Sequence, residues 1–173
     1  FQLYSKANSF VMKKLIFTLM FVFVCLFAAH SQNYKSAVGL RLGVPVSASF
    51  KHFINEKGAV EVFLGYRNWT FGSWFNVGGL YEHHLPITSV EGLQWYFGGG
   101  LAAFFWNYDN FLGSDEFGST SVGVVGALGL DYKFANAPVN LSIDWLPLFY
   151  LGNGYYDGFS GGYGALSVRY TLK

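Results

Sequence analysis

Apolar and polar side chains alternate along most of this chain after residue 36. The run V-N-L-S-I-D-W at residues 139–145 shows the alternation without a break. Because successive side chains of a β-strand point to opposite faces, Ile143 and Trp145 share one face and Asp144 lies on the other. The pattern repeats with a period of two, which predicts an all-β protein.

Eight alternating runs are separated by turn-forming residues. They predict strands at about 36–44, 46–54, 58–67, 73–84, 92–106, 119–134, 138–149 and 161–172. Compact turns are predicted at 55–58, around Pro86 and at 134–138. The segments 107–119 and 151–162 are longer and rich in Gly, Asp, Asn and aromatic residues. With both chain ends on one side, the short turns are expected on that side and the long loops on the other, as in outer-membrane barrels.

The two predicted faces differ in composition. One face is aliphatic and aromatic, and the other has Gly, Ala, Ser and nearly all the mid-strand charges. Charged residues make up only 12% of the chain, where a soluble domain has about 25%. A barrel with an apolar interior would therefore have too sparse a polar exterior, so we place the apolar face against lipid. Closure of the sheet satisfies every backbone group there. The prediction is an eight-stranded antiparallel up-and-down transmembrane β-barrel.

The charges predicted to face the barrel interior nearly balance. The cations are Arg41, Lys51, Arg67 and Arg169, and the carboxylates are Glu61, Glu82, Asp131 and Asp144. Buried charges are tolerated when they are paired and hydrogen-bonded. Eight strands leave an interior only wide enough for side chains to fill. We therefore predict a plugged polar interior and no diffusion pore.

The start of the chain has the pattern of an export signal. Met12, Lys13 and Lys14 precede an apolar run, which ends in small residues before Ser31. This predicts a signal peptide at 12–31 that is cleaved near Ser31, with 1–11 as an over-extended start and 32–173 as the barrel domain. A transmembrane helix is the alternative, but the apolar run is shorter than the roughly 20 residues that a span needs.

Removal of this segment also removes Cys25, so the mature protein is expected to fold without a disulfide. It retains eight Lys and Arg against ten Asp and Glu. This balance gives no electrostatic footprint for nucleic acid.

These features resemble the small eight-stranded outer-membrane barrels of the outer membrane protein A and X type, in the version common in the Bacteroidota. The resemblance spans 37–172. It is carried by G-L-R-L-G (39–43), G-L-Y-E-H-H (79–84), L-Q-W-Y-F-G-G-G (93–100), L-G-L-D-Y-K-F (128–134), V-N-L-S-I-D-W-L-P (139–147) and S-V-R-Y-T-L (167–172). It implies a Gram-negative outer-membrane location, insertion by the barrel assembly machinery, and a role in envelope integrity or surface contact. Such proteins commonly end in an aromatic residue, whereas this chain ends in Leu172 and Lys173.

Four candidate motifs for chemistry occur in the sequence, and none predicts a catalytic, cofactor or metal site. The sequence G-F-S-G-G at 158–162 matches G-x-S-x-G, but it enters a strand where a hydrolase needs a strand-to-helix elbow. His83 and His84 point to opposite faces of a strand, so they cannot chelate one ion together. The glycines at 123, 126 and 129 lack both the G-x-G-x-x-G spacing and a surrounding βαβ unit. Four loop carboxylates lack the spacing of a Ca²⁺ loop, namely Asp109, Asp115, Glu116 and Asp157.

The remaining candidates for contact with an extracellular partner are aromatic residues at the predicted loops. They are Tyr108, Phe111, Phe117, Tyr155, Tyr156 and Phe159, although membrane-interface girdles explain such residues equally well. The expected function is therefore structural or surface interaction. Two alternatives stay open: an outer-membrane enzyme acting on lipid or peptide near Ser160 and Asp157, and a narrow channel or small-hydrophobe transporter.

Overall fold

The computed structural model describes residues 34–69, 72–108, 117–151 and 158–172, which form eight β-strands. They are β1 (Ser36–Gly43), β2 (Val46–Phe53), β3 (Gly58–Trp69), β4 (Gly72–Pro86), β5 (Leu93–Tyr108), β6 (Phe117–Lys133), β7 (Val139–Leu151) and β8 (Gly158–Leu172). Each strand pairs antiparallel with the next, and β8 pairs with β1 to close the barrel. The predicted fold is confirmed, and the predicted strand bounds differ from those found by at most three residues.

The chain divides into two compact units. The barrel unit comprises Gln32–Phe134 and Val139–Lys173, and the second unit comprises Phe1–Ser31 with Ala135–Pro138. Of the second unit the structure describes only Ala135–Pro138, which connects β6 to β7. The predicted signal peptide lies outside the described residues. In the part that is described, no helix is long and apolar enough to cross a membrane.

The barrel has two ends that differ in their connections. The turn end has the first residue of β1, the last of β8, and the connections 54–57, 87–92 and 134–138. The loop end has the connections 44–45, 70–71, 109–116 and 152–157, of which only 44–45 is described. The expectation that every short connection lies at the turn end is therefore wrong for 44–45. Strands that alternate in direction place the first connection at the end opposite the chain termini.

Alternation sorts the side chains in the way that the period of two predicts. Leu64 and Ile143 point outward and are 54% and 57% exposed, whereas Lys51 and Glu61 point inward and are 0% exposed. The outer wall is therefore a band of bare apolar side chains, and the charged residues of the strands lie inside the barrel.

A β-bulge interrupts the pairing of β7 with β8. Leu146 pairs with Tyr163 and Leu148 with Ser160, so that Pro147 faces both Gly161 and Gly162. Proline cannot donate to the strand ladder, and such positions favour bulges. The extra residue reverses the faces of β8 beyond it, and the strand continues to Gly158, three residues further than predicted.

Candidate functional site

The interior near the turn end is filled by charged side chains. Seven of the eight residues predicted to face the interior are buried there. Every strand except β5 contributes one of them. They form the interior charge cluster: Arg41, Lys51, Glu61, Glu82, Asp131, Asp144 and Arg169. An ion pair between non-neighbouring strands spans the lumen, so this cluster links opposite walls of the barrel.

Glu61 lies at the centre of the cluster. Its Oε1 accepts hydrogen bonds from Arg169 Nη2 at 2.5 Å and from Arg41 Nη1 at 3.1 Å. Lys51 Nζ lies 2.7 Å from Glu82 Oε2, 3.4 Å from Asp131 Oδ2 and 3.7 Å from Glu61 Oε2. One ammonium group therefore serves three carboxyl groups.

Uncharged side chains complete the hydrogen bonding of the cluster. Asn140 Nδ2 donates to Asp131 Oδ1 at 2.6 Å, and Tyr96 OH donates to Asp144 Oδ2 at 2.8 Å. Arg169 donates to Ser142 Oγ at 2.6 Å and to Ser49 Oγ at 3.1 Å. Charge-assisted hydrogen bonds of this kind offset the desolvation of buried ions.

Tyr96 and His84 belong to this region although the sequence analysis assigned neither to the cluster. His84 Nε2 lies 3.0 Å from Glu82 Oε2, and its ring stacks on Tyr96 with centroids 4.9 Å apart. Lys51 Nζ lies over the Tyr96 ring at 4.6 Å from the centroid. Each residue lies two positions from an inward-facing residue of its strand, His84 from Glu82 and Tyr96 from Gln94, so it shares the inward face. This alternation is the sequence signal that could have identified both.

Arg67 was predicted to join the interior charges, and this is wrong. It has the inward parity of β3, but it is exposed and forms no ion pair with any residue that the structure describes. The pairing of β2 with β3 reaches only Val46 with Tyr66, so Arg67 lies beyond the last residue of the β1–β2 hairpin. β1 and β2 do not extend this far toward the loop end, so they do not enclose the Arg67 side chain.

The interior near the loop end is apolar, so the prediction of a polar interior is wrong for this half. Aromatic rings pack across it: Trp74 lies 4.9 Å from Trp106 and 5.6 Å from Phe104, and Phe104 lies 5.5 Å from Tyr150. The other buried members of this aromatic layer include Phe63, Leu146 and Leu148. These residues alternate with outward-facing ones on β3, β4, β5 and β7, so the period of two already places them inside.

A small cavity of about 30 Å³ separates the two layers. Arg41 and Ser47 line its charged side, and Phe63 and Phe104 line its apolar side. The Oδ1 atom of Asn76, which also lines it, is buried without a hydrogen-bond partner among the described residues. The volume suits about one or two water molecules.

Tyr34 covers the interior at the turn end, just before β1. Its ring meets Phe53 edge-on at 5.4 Å, and Lys133 Nζ lies over it at 5.4 Å from the centroid. Its hydroxyl is buried and has no hydrogen-bond partner among the described residues. Burial raises the pKa of Tyr34, and the nearby Asp131 carboxylate raises it further.

The predicted surface-contact aromatics fall in three groups. Phe111, Tyr155 and Tyr156 lie outside the described residues. Tyr108 and Phe117 are the paired end residues of β5 and β6, and their side chains are not described. Phe159 lies in β8, where the bulge turns it outward, and it is 69% exposed.

The serine of the G-x-S-x-G motif and the histidine pair both lie on strands. Ser160 lies within β8, and its Oγ accepts a hydrogen bond from Gly162 N at 3.4 Å. His83 is half-buried and lies 5.6 Å from Phe97, on the face opposite to His84. Among the described residues no three His, Cys, Asp or Glu side chains are arranged to hold a metal ion. The four loop carboxylates lie outside the described residues.

Two solved structures are similar to this barrel. The N-terminal β-barrel domain of Pseudomonas aeruginosa OprF aligns with a TM-score of 0.55 at 17% identity, over 82% of this chain and 100% of that one. Neisserial surface protein A aligns with a TM-score of 0.54 at 17% identity, over 79% of this chain and 94% of that one. At this identity the likeness shows the fold. No family model matches the chain, and no curated protein matches it.

Proposed function

We propose that this chain is an integral outer-membrane β-barrel with a structural or surface-interaction role. The observation that carries the proposal is the inverted distribution of its residues: Leu64 and Ile143 are bare on the outside, whereas Lys51 and Glu61 are fully buried. In water, such a surface would aggregate. In a bilayer, the apolar side chains contact the lipid acyl chains. Because the barrel is closed, no strand leaves its backbone N–H and C=O groups unpaired in lipid.

The similar structures support this location, since both are outer-membrane β-barrels. The finer assignment is that the chain belongs to the outer membrane protein A and X type of the Bacteroidota. In this assignment residues 12–31 direct export and are cleaved near Ser31, and the barrel assembly machinery inserts the mature protein. The turn end then faces the periplasm, and the loop end faces outward.

The two interior layers support a plugged barrel over a channel. The charge cluster links β3 to β1 and β8 through Glu61, and in the aromatic layer the rings of Trp74 and Phe104 lie 5.9 Å and 6.1 Å from that of Tyr163 on β8. A cavity of about 30 Å³ lies between them. The partners are therefore outer-membrane lipid along the wall and an extracellular partner at the loop end, where Phe159 is exposed.

Fractionation tests the location. The protein should sediment with the outer membrane and migrate differently on gels before and after heating, because the folded barrel resists detergent. Recovery of the mature protein as a soluble periplasmic species would refute the proposal.

Conductance tests the plug. Refolded protein in planar bilayers should show little or no steady current, because both layers must open before an aqueous path exists. Large and stable openings would show instead that the charged residues line a pore, and would favour the channel alternative.

A further inference from the structure

The interior charge cluster has one carboxyl group more than it has permanent cations. Its cations are Arg41, Lys51 and Arg169, and its carboxyl groups are Glu61, Glu82, Asp131 and Asp144. With all four ionised, the cluster would have a net charge of −1 although all of its side chains are buried. An uncompensated buried charge is costly, and such sites respond by binding a proton.

Two of these carboxyl groups meet at one ammonium group. Lys51 Nζ lies 3.7 Å from Glu61 Oε2 on β3 and 2.7 Å from Glu82 Oε2 on β4. Ionised carboxylates only accept hydrogen bonds, so two of them can form one only when a proton lies between them.

The hydrogen-bond inventory of the pair points to the same proton. Glu61 Oε2 and Glu82 Oε1 are both buried and lack any donor among the described residues. Their other oxygens are occupied, Glu61 Oε1 by two arginines and Glu82 Oε2 by Lys51 and His84. A proton shared by the pair removes both vacancies and brings the cluster to three cations and three anions.

We propose that Glu61 and Glu82 form a proton-binding site inside the barrel, in which Glu82 holds one exchangeable proton and donates it to Glu61. Glu82 is the holder because it meets only Lys51 among the permanent cations, whereas Glu61 meets all three. His84 is a positioning residue: its Nε2 lies 3.0 Å from Glu82 Oε2, and its Nδ1 lies 3.1 Å from Gln94 Oε1.

The neighbours of the pair on every strand are consistent with this placement. The titratable and charged groups that surround it are Tyr34 before β1, Arg41 on β1, Lys51 on β2, His84 on β4, Tyr96 on β5, Asp131 on β6, Asp144 on β7 and Arg169 on β8. Asp131 and Asp144 each accept from their own donors, Asn140 and Tyr96. Among the described carboxyl groups of the cluster, only Glu61 and Glu82 have a buried oxygen without a hydrogen-bond partner.

A charged His84 would also balance the cluster, and the two placements are distinguishable. A proton on the imidazole leaves both Glu61 Oε2 and Glu82 Oε1 without a donor. A proton on Glu82 creates a neutral carboxylic acid, which has its own infrared carbonyl absorption.

Infrared spectroscopy of the refolded protein reads the proton directly. With glutamate labelled by carbon-13, wild type at neutral pH should show the carbonyl band of a buried neutral acid. Glu82→Gln should remove it, and the control Glu91→Gln, at an exposed turn residue, should leave it unchanged. Absence of the band from wild type, or its persistence in Glu82→Gln, would overturn the proposal. If Glu82→Gln does not fold, loss of the wild-type band on raising the pH, without unfolding, gives the same answer.

Stability against pH gives a second measurement. Because the folded barrel keeps a proton that the unfolded chain has already released, its folding constant should fall with rising pH, by up to about tenfold for each pH unit between proton release from the unfolded glutamate and proton release from the folded site. Glu82→Gln keeps the hydrogen-bond donor at every pH, so its folding constant should fall less steeply. An unchanged slope in Glu82→Gln together with a flattened slope in His84→Gln would place the proton on the imidazole and refute the site.

Discussion

Arg41 Nη2 donates a hydrogen bond to Asp144 Oδ1 at 2.7 Å and joins β1 to β7, two strands that do not pair with each other. Asp144 also accepts from Tyr96 OH on β5 at 2.8 Å. This carboxylate therefore ties three separated parts of the wall together through the lumen. An interior of this kind fixes the cross-section of the barrel as well as filling it.

Substitution of Asp144 tests that link. Asp144→Asn keeps the volume and one acceptor, so we expect a loss of about 1–3 kcal/mol from the unpaired arginine. Asp144→Leu removes both acceptors and should cost about 3–5 kcal/mol, the usual cost of breaking a buried pair. The measurement is reversible unfolding of the refolded protein in lipid vesicles. A leucine variant that is more stable than wild type would show that Asp144 faces outward.

Ile143, the neighbour of Asp144 on the opposite face, tests the lipid side. It is 57% exposed on the outer wall, so Ile143→Arg places a charge in the bilayer and should cost about 2–4 kcal/mol near the midplane. Ile143→Leu is the matched control and should be nearly silent, because lipid accepts either side chain. Equal stabilities of the two variants in vesicles would argue against a membrane-facing wall at this position.

Phe104 and Phe105 are adjacent residues of β5 that point to opposite faces, one into the aromatic layer and one to the outer wall. Phe104 is 1% exposed and points inward, and Phe105 is 41% exposed and points outward. Phe104→Ala should cost about 3–5 kcal/mol, because it leaves a cavity among Trp74, Trp106 and Tyr150. Phe105→Ala leaves no cavity, since lipid fills the space, and its cost should be clearly smaller. The opposite order in vesicle unfolding would reverse the assigned faces of β5.

Most of the fold could be predicted because the alternation of apolar and polar residues identifies the strands and also assigns each residue to one of the two faces. The alternation does not show how far along the barrel axis a residue lies. Two wrong predictions, Arg67 in the interior and a polar interior near the loop end, both depend on that position. Arg67 has the parity of Glu61, yet it lies beyond the β1–β2 hairpin and escapes the interior. Trp74 and Phe104 have inward parity too, but whether an inward position is charged or aromatic depends on which layer it joins. The individual ion pairs depend on tilt and strand register, which the sequence does not encode locally.

The bulge in β8 was also missed, although G-G at 161–162 opposite Pro147 is the pattern that allows it. Without it, the alternation from Arg169 and Ser167 back along β8 would place Phe159 inside the barrel. One extra residue thus decides which aromatic residues the loop end presents.

Tyr34 offers a prediction about pH. Its buried hydroxyl lacks a partner among the described residues, so Tyr34→Phe should stabilise the barrel by about 1 kcal/mol at neutral pH. Burial raises the pKa of Tyr34 in the folded state, so the folded protein holds this proton longer than the unfolded chain. Wild type should therefore lose stability as the pH rises above the ordinary tyrosine range, and Tyr34→Phe should lose less. Unfolding curves at neutral and alkaline pH measure both effects, and an alkaline loss equal in the two proteins would contradict the buried hydroxyl.

The adjacent glycines of the bulge give the sharpest paired test. Gly162 has a φ of 77°, and a Cβ there would lie 1.8 Å from the carbonyl oxygen of Leu146. Gly162→Ala should therefore cost at least about 2 kcal/mol, from the strain of the left-handed backbone and the clash with the neighbouring strand. At Gly161 a Cβ would meet nothing within 4 Å, so Gly161→Ala should change the stability by less than about 0.5 kcal/mol. Trp145 Nε1 donates to Gly161 O at 2.6 Å from the outer wall, and that bond uses only the backbone, so it survives the alanine. The check is the unfolding free energy of both variants in vesicles. If Gly161→Ala proves the more damaging, the extra residue of the bulge lies one position earlier than the pairing assigns it.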